Sequence, residues 1–468
     1  MSTPDTAVAK SANEPSTGRP SVIVIGGGLA GLATASALAP RGFAVTILES
    51  RGRLGGRAGS FTDPATGQLI DTCQHVSMGC CTNLAHFCRT VGIDHLLRPQ
   101  PALYFMTADG RVSRFAADRW TAPLHLARSF FQAHYLSAGD KVRIIWGLAA
   151  LARSSAEDDS PFWEWLVGHR QTRSCVQRFW DVVLTSALNE SPQRMGLRYA
   201  RKVFLDGFLR HRRGFEVELP AVPLGRLYGE ELTRWFEEHG VRCLLNHRLQ
   251  CLKLDADRAE GVELRSGETM RADWYVAAVP FDRLLDVLPA ETIEAHAAFS
   301  NLKKLETAPI TSIHFWFDRP VMTHPHLVLV GCTGQWIFNR GETAPGEHYI
   351  QVVVSASRQF DSLGHQEVRQ LILEEVKRLL PTAREAELIR SKVVTERAAT
   401  FSAVPGVDRW RPVNQSPIEN LILAGDWTAT GWPATMEGAV RSGYLAAEVI
   451  LERTGKNERL VQPDLHVA

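Results

Sequence analysis

Three glycines and one glutamate among the first fifty residues are spaced for binding a dinucleotide. Gly26, Gly28 and Gly31 form a G-x-G-x-x-G pattern. The first glycine permits a tight turn, the second lets the backbone approach a pyrophosphate, and the third lets helix and strand pack closely. Glu49 follows at the distance where a carboxylate accepts hydrogen bonds from the ribose hydroxyls of an adenosine.

The elements around these residues predict a βαβ unit. Residues 22–25 are apolar and mostly β-branched, as in a buried parallel strand. An Ala-rich helix begins at Leu29 and Ala30, so its N-terminal N–H groups would face the phosphates. Residues 43–48 form the second strand, which ends at Glu49. This order favours a nucleotide site over a tight turn without a ligand.

A second glycine-rich segment follows directly. Ser50 and Arg51 precede Gly55, Gly56 and Arg57 in the stretch R-G-R-L-G-G-R-A. Glycines and arginines beside a phosphate site indicate a second contact with the diphosphate, with Arg57 as donor. The alternative is a surface loop with solvated arginines.

The C-terminal part supplies a matching strand, turn and helix. Residues 421–424 are apolar, Gly425 and Asp426 follow, and residues 436–447 predict a helix with several small side chains. An ordinary packed helix would explain the small residues but not the Gly-Asp-Trp turn.

These motifs resemble the amine oxidase and phytoene desaturase superfamily of flavoproteins. The resemblance implies FAD, bound in extended form. It also implies that Asp426 contacts the ribityl and phosphate region and that backbone near Leu249 lies against the adenine. We expect non-covalent binding, since the last cysteine, Cys332, lies far from Met436. The predicted cofactor-binding residues are Gly26, Gly28, Leu29, Ala30, Gly31, Glu49, Ser50, Arg51, Gly55, Gly56, Arg57, Leu249, Gly425, Asp426, Ala434, Thr435, Met436 and Ala439.

The resemblance also implies the fold class, which is α/β. A Rossmann-like, glutathione-reductase-like FAD-binding domain would be discontinuous and a second, α+β domain would bind the substrate. We predict residues 21–99, 225–285 and 415–455 for the FAD-binding domain. We predict residues 100–224 and 286–414 for the substrate domain, and flexible tails at 1–20 and 456–468.

Composition limits the other function classes. The 468 residues carry a formal net charge of +1, which gives no indication of nucleic-acid binding. Eight cysteines without a disulfide pattern favour a reducing cytoplasm. Cys73, Cys80, Cys81 and Cys88 lack the spacing of a zinc knuckle, so we predict no metal.

Two segments indicate contact with a membrane surface. Residues 120–151 predict two apolar helices separated at residues 137–139, and residues 194–213 are strongly basic. Such neighbours suit an enzyme on the inner face of the cytoplasmic membrane. The alternative is that the aromatic faces are core and the charges are solvated. The sequence contains no run of about 18 apolar residues, so it predicts no membrane span.

Three segments narrow the resemblance to hydroxysqualene dehydroxylases, FAD enzymes of bacterial hopanoid pathways. They are residues 71–80, 317–320 and 424–443. The resemblance implies that hydroxysqualene loses its hydroxyl and gains a hydride from reduced FAD, which gives squalene. It also implies a long apolar isoprenoid substrate and neighbouring squalene-pathway enzymes as partners. This chain has Cys73 where relatives carry glycine.

The reaction needs a proton donor and a dry aromatic pocket. His75 or Asp71 could supply the proton, although each could instead be a structural loop residue or cap. Trp427, Trp432 and Tyr444 could line the pocket or simply pack in the core.

Three alternatives remain. A carotenoid-type desaturase would use the flavin in the oxidising direction. A flavin amine oxidase typically has a lysine on the strand before F-x-x-P, where this chain has Thr311, Ser312, Ile313 and His314. The third alternative is a non-catalytic flavin scaffold that holds neighbouring enzymes together.

Overall fold

The computed structural model describes residues 18–64 and 66–465. Their strands are β1 (Ser21–Ile25), β2 (Ala44–Leu48), β3 (Ser60–Thr62), β4 (Leu69–Asp71), β5 (Ser77–Met78), β6 (Leu97–Gln100), β7 (Ala102–Thr107), β8 (Val112–Ala116), β9 (Val217–Pro220), β10 (Arg242–Leu244), β11 (Leu249–Asp255), β12 (Arg258–Leu264), β13 (Thr269–Met270), β14 (Trp274–Ala277), β15 (Thr307–Phe317), β16 (His326–Val330), β17 (Trp336–Ala344), β18 (Glu347–Ser355), β19 (Leu388–Phe401) and β20 (Leu421–Leu423).

The α-helices of the same residues are α1 (Leu29–Leu38), α2 (Thr82–Thr90), α3 (Ala127–Gln132), α4 (Ala138–Arg153), α5 (Phe162–Gly168), α6 (Arg173–Cys175), α7 (Asp181–Leu188), α8 (Leu197–Phe204), α9 (Glu231–Glu238), α10 (Phe281–Val287), α11 (Ala290–Ala295), α12 (Ala297–Ser300), α13 (His365–Leu379), α14 (Pro381–Glu385) and α15 (Met436–Arg453). Short π-helical turns precede α7 and α9 and follow α8.

A parallel sheet carries the glycine motif. Its strand order is β10-β2-β1-β14-β20, so it draws strands from all three ranges predicted for the FAD-binding domain. Helix α1 is buried along its whole length and packs on α15. Gly443 permits this packing, because a Cβ there would overlap the Ala30 carbonyl oxygen. The N-terminus of α1 is thereby fixed at the end of β1.

A second, mixed sheet has the order β19-β15-β18-β17-β16-β7-β8. Sequence analysis does not anticipate β7, β8 and β19. Alternation along β15 places Ile313, Phe315 and Phe317 in one core cluster with the apolar face of α13. The opposite face of the sheet contributes Phe105 and Val328 to the core formed with the helices of residues 127–204.

The start of helix α4 and the C-terminal tail differ from the sequence-based predictions. Helix α4 begins at Ala138, where Ser137 and Asp140 form a capping box, so residues 137–139 start the helix and also end the preceding segment. Residues 456–465 belong to the predicted C-terminal tail, yet Leu460 is buried and Asp464 forms an ion pair with Arg441. This packing makes the tail prediction wrong for 456–465. Residues 1–17 and 466–468 lie outside the described residues.

Several basic side chains of the segment 194–213 form ion pairs within the protein, and contact of this segment with a membrane stays a prediction. Lys202 and Arg210 both pair with Asp206. Arg194 pairs with Glu190 and Glu306, and Arg198 with Asp408. Charges already paired inside a protein attract anionic lipid weakly. No helix of the described residues is long and apolar enough to cross a membrane.

Candidate functional site

The two glycine-rich loops are joined to each other at the end of β1. The Gly55 N–H donates to the Gly27 carbonyl oxygen over 2.8 Å. Gly26 has φ +113°, and a Cβ there would lie 2.7 Å from the Ala278 carbonyl oxygen. At Gly31 a Cβ would overlap the Gly26 carbonyl oxygen. Both positions therefore exclude any larger residue because protein backbone occupies the space.

Gly28 differs, because the space beside it is open. A Cβ there would meet no heavy atom closer than the Gly56 Cα at 4.0 Å. Its φ of −81° is also accessible to other residues. The protein itself would accommodate a Cβ here, so the space beside Gly28 is open to a ligand. The position, at the N-cap of α1, fits the pyrophosphate of a dinucleotide.

Glu49 lies at the end of β2 and is buried. Its Oε2 accepts from the Gly27 N–H over 2.9 Å, and Oε1 accepts from the Arg51 N–H over 2.8 Å. Ser50 also donates its hydroxyl to Oε1. The carboxylate thus joins both glycine loops. Oε2, which accepts one of these bonds, retains acceptor capacity for a ribose hydroxyl.

Arg57 and Asp426 bring the N-terminal and C-terminal motifs together. Arg57 Nη2 donates to Asp426 Oδ1 over 2.6 Å, and Nη1 donates to the Ala399 carbonyl oxygen over 2.8 Å. Both side chains border a narrow cleft that Phe281 and Trp427 also line. This places a partly buried charge pair where the resemblance expects the phosphate and ribityl region.

The turn that carries Asp426 is held by a residue that sequence analysis missed. Arg411 is fully buried and donates to the carbonyl oxygens of Asp426 and Thr428. It also pairs with Asp408 over 2.8 Å. Nothing in the local sequence marks this arginine, because its acceptors are carbonyl groups 15 and 17 positions away.

The remaining predicted cofactor residues surround the start of α15. Thr435 caps this helix, its hydroxyl accepting from the Gly438 N–H over 3.0 Å. Met436 Sδ accepts from the Tyr228 hydroxyl, and Ala434 and Ala439 flank the turn. Leu249 begins β11, which belongs to a separate three-stranded sheet with β12 and β13. Glu437, which sequence analysis missed, caps α2 by accepting from the Asn83 and Leu84 N–H groups.

Asp71 is tied into the protein by three contacts, and its role as a proton donor stays a prediction. Oδ1 accepts from the Ser60 hydroxyl over 2.6 Å and from the Leu224 N–H over 2.8 Å. Oδ2 forms an ion pair with Arg340 at 2.8 Å. These three contacts tie Asp71 to Ser60, to the Leu224 backbone and to Arg340, so all of them are structural.

His75 lies on the same loop and is close to the cofactor cleft. Its Nδ1 lies 3.0 Å from the Cys73 carbonyl oxygen. Because a carbonyl oxygen only accepts hydrogen bonds, Nδ1 carries a proton and is the donor. Burial lowers the pKa of His75, and the nearby Arg57 guanidinium acts in the same direction. The imidazole is therefore neutral at pH 7, with Nε2 as an acceptor.

The three aromatic candidates occupy different places. Trp427 lines the cleft with Arg57 and Asp426, and its Nε1 donates to the Val279 carbonyl oxygen over 3.0 Å. Trp432 is buried beneath the ammonium group of Lys202, 4.3 Å from the ring centre. Tyr444 bonds His86 through its hydroxyl over 2.9 Å. It therefore faces α2, and its expected place in the pocket is wrong.

Comparison with known proteins gives relatives over almost the whole chain. A 15-cis-phytoene desaturase of Narcissus pseudonarcissus is 29% identical over 459 residues, which cover 92% of this chain and 79% of that protein. A zeta-carotene desaturase of Synechocystis is 25% identical over 485 residues, which cover 94% of this chain and 99% of that protein. The chain is thus similar to phytoene and zeta-carotene desaturases.

Solved structures match at lower identity. An oxidoreductase of Methanosarcina mazei superposes with a TM-score of 0.71 at 16% identity, covering 92% of this chain and all of that one. Cyclohexylamine oxidase of Brevibacterium oxydans gives 0.66 at 19% identity, covering 94% of this chain and 100% of the oxidase. These similarities concern the fold alone, and they confirm the predicted α/β class with a Rossmann-like FAD-binding fold.

The family model of flavin containing amine oxidoreductases matches residues 29–451. That range includes α1, Glu49, the Arg57–Asp426 pair and α15. The open space at Gly28 and the acceptors of Glu49 fit the dinucleotide portion of a flavin cofactor. The chain therefore belongs to the flavin-containing amine oxidoreductase family, and its cofactor is FAD.

Proposed function

We propose that the chain catalyses the FAD-dependent reductive dehydroxylation of hydroxysqualene to squalene. The observation that carries this proposal is the position of residues 71–80, the segment most specific to the resemblance. Asp71 is fixed to the second sheet by Arg340. Cys73 contacts Ser312 on that sheet, and His75 lies near Arg57. The segment thus lies between the cofactor cleft and the substrate-domain sheet.

The proposed reaction consumes a hydride from the reduced flavin and a proton from solvent, and it releases water. Reduced FAD, when bound, supplies the hydride that replaces the hydroxyl. The carbon–oxygen bond breaks with its electron pair on oxygen, and a proton from solvent completes the water molecule. The electron-poor carbon is allylic, so its positive charge is delocalised. Aromatic side chains beside the cleft, such as Phe281, Phe401 and Trp427, stabilise that charge through their ring faces.

The two histidines between cleft and sheet, His75 and His314, are uncharged, which suits an uncharged substrate. His75 is neutral, and the stretch from Thr311 to His314 offers no ammonium group. Burial, with smaller effects from Arg340, Lys392 and Arg390, lowers the pKa of His314 to about 3. This disfavours the amine oxidase alternative.

A carotenoid-type desaturase is the second candidate. It is favoured by the names of the relatives, which are phytoene and zeta-carotene desaturases at 25–29% identity. Both candidates need a long apolar substrate and FAD. They differ in the direction in which the flavin is used.

One experiment separates the two. Purified enzyme is incubated anaerobically with reduced flavin and hydroxysqualene, and in parallel with oxidised flavin and phytoene. Dehydroxylation predicts squalene in the first vessel and unchanged phytoene in the second. New conjugated double bonds in the second vessel, with hydroxysqualene recovered intact, would instead establish the desaturase.

We further propose that residues 120–146 contact the membrane surface that holds the substrate. This segment exposes large apolar side chains, including Phe131 at 58% and Trp146 at 68%. On α4 the exposed Val142, Ile145 and Trp146 lie on one face, opposite the buried Ile144. From Arg119 to Arg153 the charged residues are five basic and one acidic, and the acidic Asp140 is buried. An anionic bilayer complements both features.

Sedimentation with vesicles tests this surface. The wild-type protein should pellet with phosphatidylglycerol vesicles more than with phosphatidylcholine vesicles. Replacing Val142 and Trp146 together by Ser should lower the partition at least about tenfold, because apolar area no longer enters the interface. Val413→Ser is the matched control, since Val413 is 62% exposed elsewhere. Equal pelleting of the double variant and wild type would refute the proposal.

A further inference from the structure

Four neutral polar side chains form a hydrogen-bonded row on the inner face of the second sheet. The row consists of His314, Tyr349, Gln351 and Ser312. His314 Nδ1 and Tyr349 Oη are 2.7 Å apart, and Tyr349 Oη donates to Gln351 Oε1 over 3.4 Å. Gln351 Nε2 donates to Ser312 Oγ over 2.6 Å. All four side chains are buried.

Strand register brings these residues to one face. Strands β15 and β18 are antiparallel neighbours, with His314 opposite Gln351 and Trp316 opposite Tyr349. Ser312 lies two residues before His314, so it points the same way. The intervening Ile313 belongs to the apolar core on the other face. The row is therefore built into the sheet.

The row carries no charge at neutral pH. Burial lowers the pKa of His314 to about 3, and burial raises the pKa of Tyr349. Cys73, which contacts Ser312, has its pKa raised to about 12 by burial and by Asp71. The row and its neighbour thus offer hydrogen bonds without the desolvation cost of an ion.

The hydrogen bonds run in one direction, towards Ser312. Tyr349 donates to the amide oxygen of Gln351, which leaves the amide nitrogen to donate to Ser312. Ser312 Oγ thereby has an acceptor site filled, and its own hydrogen is free to donate towards Cys73. An oxygen that accepts such a bond becomes a better donor. At the other end, His314 Nε2 is buried with no partner among the described residues.

The donor end of the row faces the cofactor side of the molecule. Cys73 is two residues from His75, whose imidazole lies near Arg57 in the cofactor cleft. At this end the Ser312 hydroxyl meets the Cys73 thiol. A thiol is a weak acceptor, so a better one displaces it readily.

We propose that Ser312 donates a hydrogen bond to the hydroxyl oxygen of the substrate and so selects an alcohol over a hydrocarbon. This inference rests on the proposed dehydroxylation. As the carbon–oxygen bond breaks, the electron pair collects on oxygen, and the bond from Ser312 strengthens. A solvent proton completes the water, as above. Gln351, Tyr349 and His314 act through Ser312 as positioning residues.

The test compares Ser312→Ala with Ser312→Thr, which keeps the hydroxyl. Thr311→Val is the matched control, since Thr311 loses a buried hydroxyl on the opposite face of the same strand, where it bonds Ser357 and Thr395. For each variant we would measure flavin content, the binding of squalene and of hydroxysqualene by flavin spectral titration, and the rate at which hydroxysqualene reoxidises the reduced flavin anaerobically.

Ser312→Ala should bind hydroxysqualene about tenfold more weakly and react about 100-fold more slowly. Its flavin content and squalene binding should be unchanged, and Ser312→Thr should recover most of the rate. Tyr349→Phe should lower the rate with squalene binding intact. Wild-type rates in Ser312→Ala would overturn the inference, and so would equal losses for squalene and its alcohol. A wild-type enzyme that hydroxysqualene fails to reoxidise would overturn the proposed function and, with it, this assignment.

Discussion

Arg57 donates a hydrogen bond to Asp426 across 2.6 Å, although the two residues are 369 positions apart in the chain. The pair joins the second glycine loop to the turn before α15. It is the contact through which the first and last parts of the chain form one cofactor site. Its removal should therefore affect both cofactor retention and stability.

Replacement of Arg57 by Met should release FAD and lower the free energy of unfolding by about 1–3 kcal/mol, because the buried Asp426 loses its counter-charge. The partial exposure of Arg57 keeps this loss below that of a fully buried pair. The ratio of flavin absorbance to protein absorbance after gel filtration, together with urea unfolding, measures both effects. Arg57→Lys keeps the charge and should retain more flavin; equal flavin loss in both variants would point to the guanidinium geometry instead of its charge.

The open space at Gly28 gives a separate test of the cofactor position. Gly28→Ala should fold with near wild-type stability, since its Cβ meets no protein atom within 4 Å except the Gly56 Cα at that limit. It should nevertheless lose FAD, because the methyl group occupies the space of the pyrophosphate. Gly168→Ala, with open space around it, is the control. Full flavin content in Gly28→Ala would place the pyrophosphate elsewhere.

Glu49 offers a graded test of ribose recognition. Glu49→Gln keeps one oxygen acceptor and should lower FAD affinity by about tenfold, whereas Glu49→Ala should lower it further. Part of the loss comes from the Gly27 and Arg51 N–H groups, which lose their acceptor. Fluorescence titration of apoprotein with FAD measures the affinities. Unchanged affinity in Glu49→Ala would remove the residue from the site.

Acid stability should depend on His326, which is fully buried with both ring nitrogens unpartnered among the described residues. Burial and, to a smaller extent, His324 lower its pKa to about 4. Between about pH 6.5, the value for an unfolded chain, and pH 4, the unfolded state binds the extra proton. Stability therefore falls as pH falls through this window.

Replacing His326 by Phe should flatten the slope of unfolding free energy against pH by up to about 1.4 kcal/mol per pH unit in that window. Urea unfolding at pH 6.5, 5.5 and 4.5 measures the slope. His95→Phe is the control, because His95 is exposed. An unchanged slope in His326→Phe would mean that the buried imidazole takes up its proton without unfolding.

Local sequence was sufficient to predict the first half of the cofactor site. The β1–α1–β2 unit and Glu49 lie within thirty residues, so their spacing alone determines their geometry. Arg411, Glu437 and the structural role of Asp71 were not predictable in this way. Their partners are carbonyl groups, helix termini or side chains that approach only in the folded chain.

The basic segment 194–213 also depends on partners that are distant in the sequence. Its charge density indicates an exposed surface, but Glu306, Asp408 and Asp464 neutralise it from distant parts of the chain. Exposed apolar residues on α4 were also indistinguishable from core residues in the sequence. When a helix is apolar on two faces, its exposed face can be identified only once the elements packed against it are known.

The proposed dehydroxylation requires that the flavin deliver hydrogen to the carbon that loses the hydroxyl. We would run one anaerobic turnover of the reduced enzyme with hydroxysqualene in deuterium oxide and analyse the squalene by mass spectrometry. The hydrogen on the reactive flavin nitrogen exchanges with solvent, so this account predicts one deuterium per squalene at the former carbinol carbon. Squalene without deuterium, or no squalene at all while the flavin stays reduced, would contradict it.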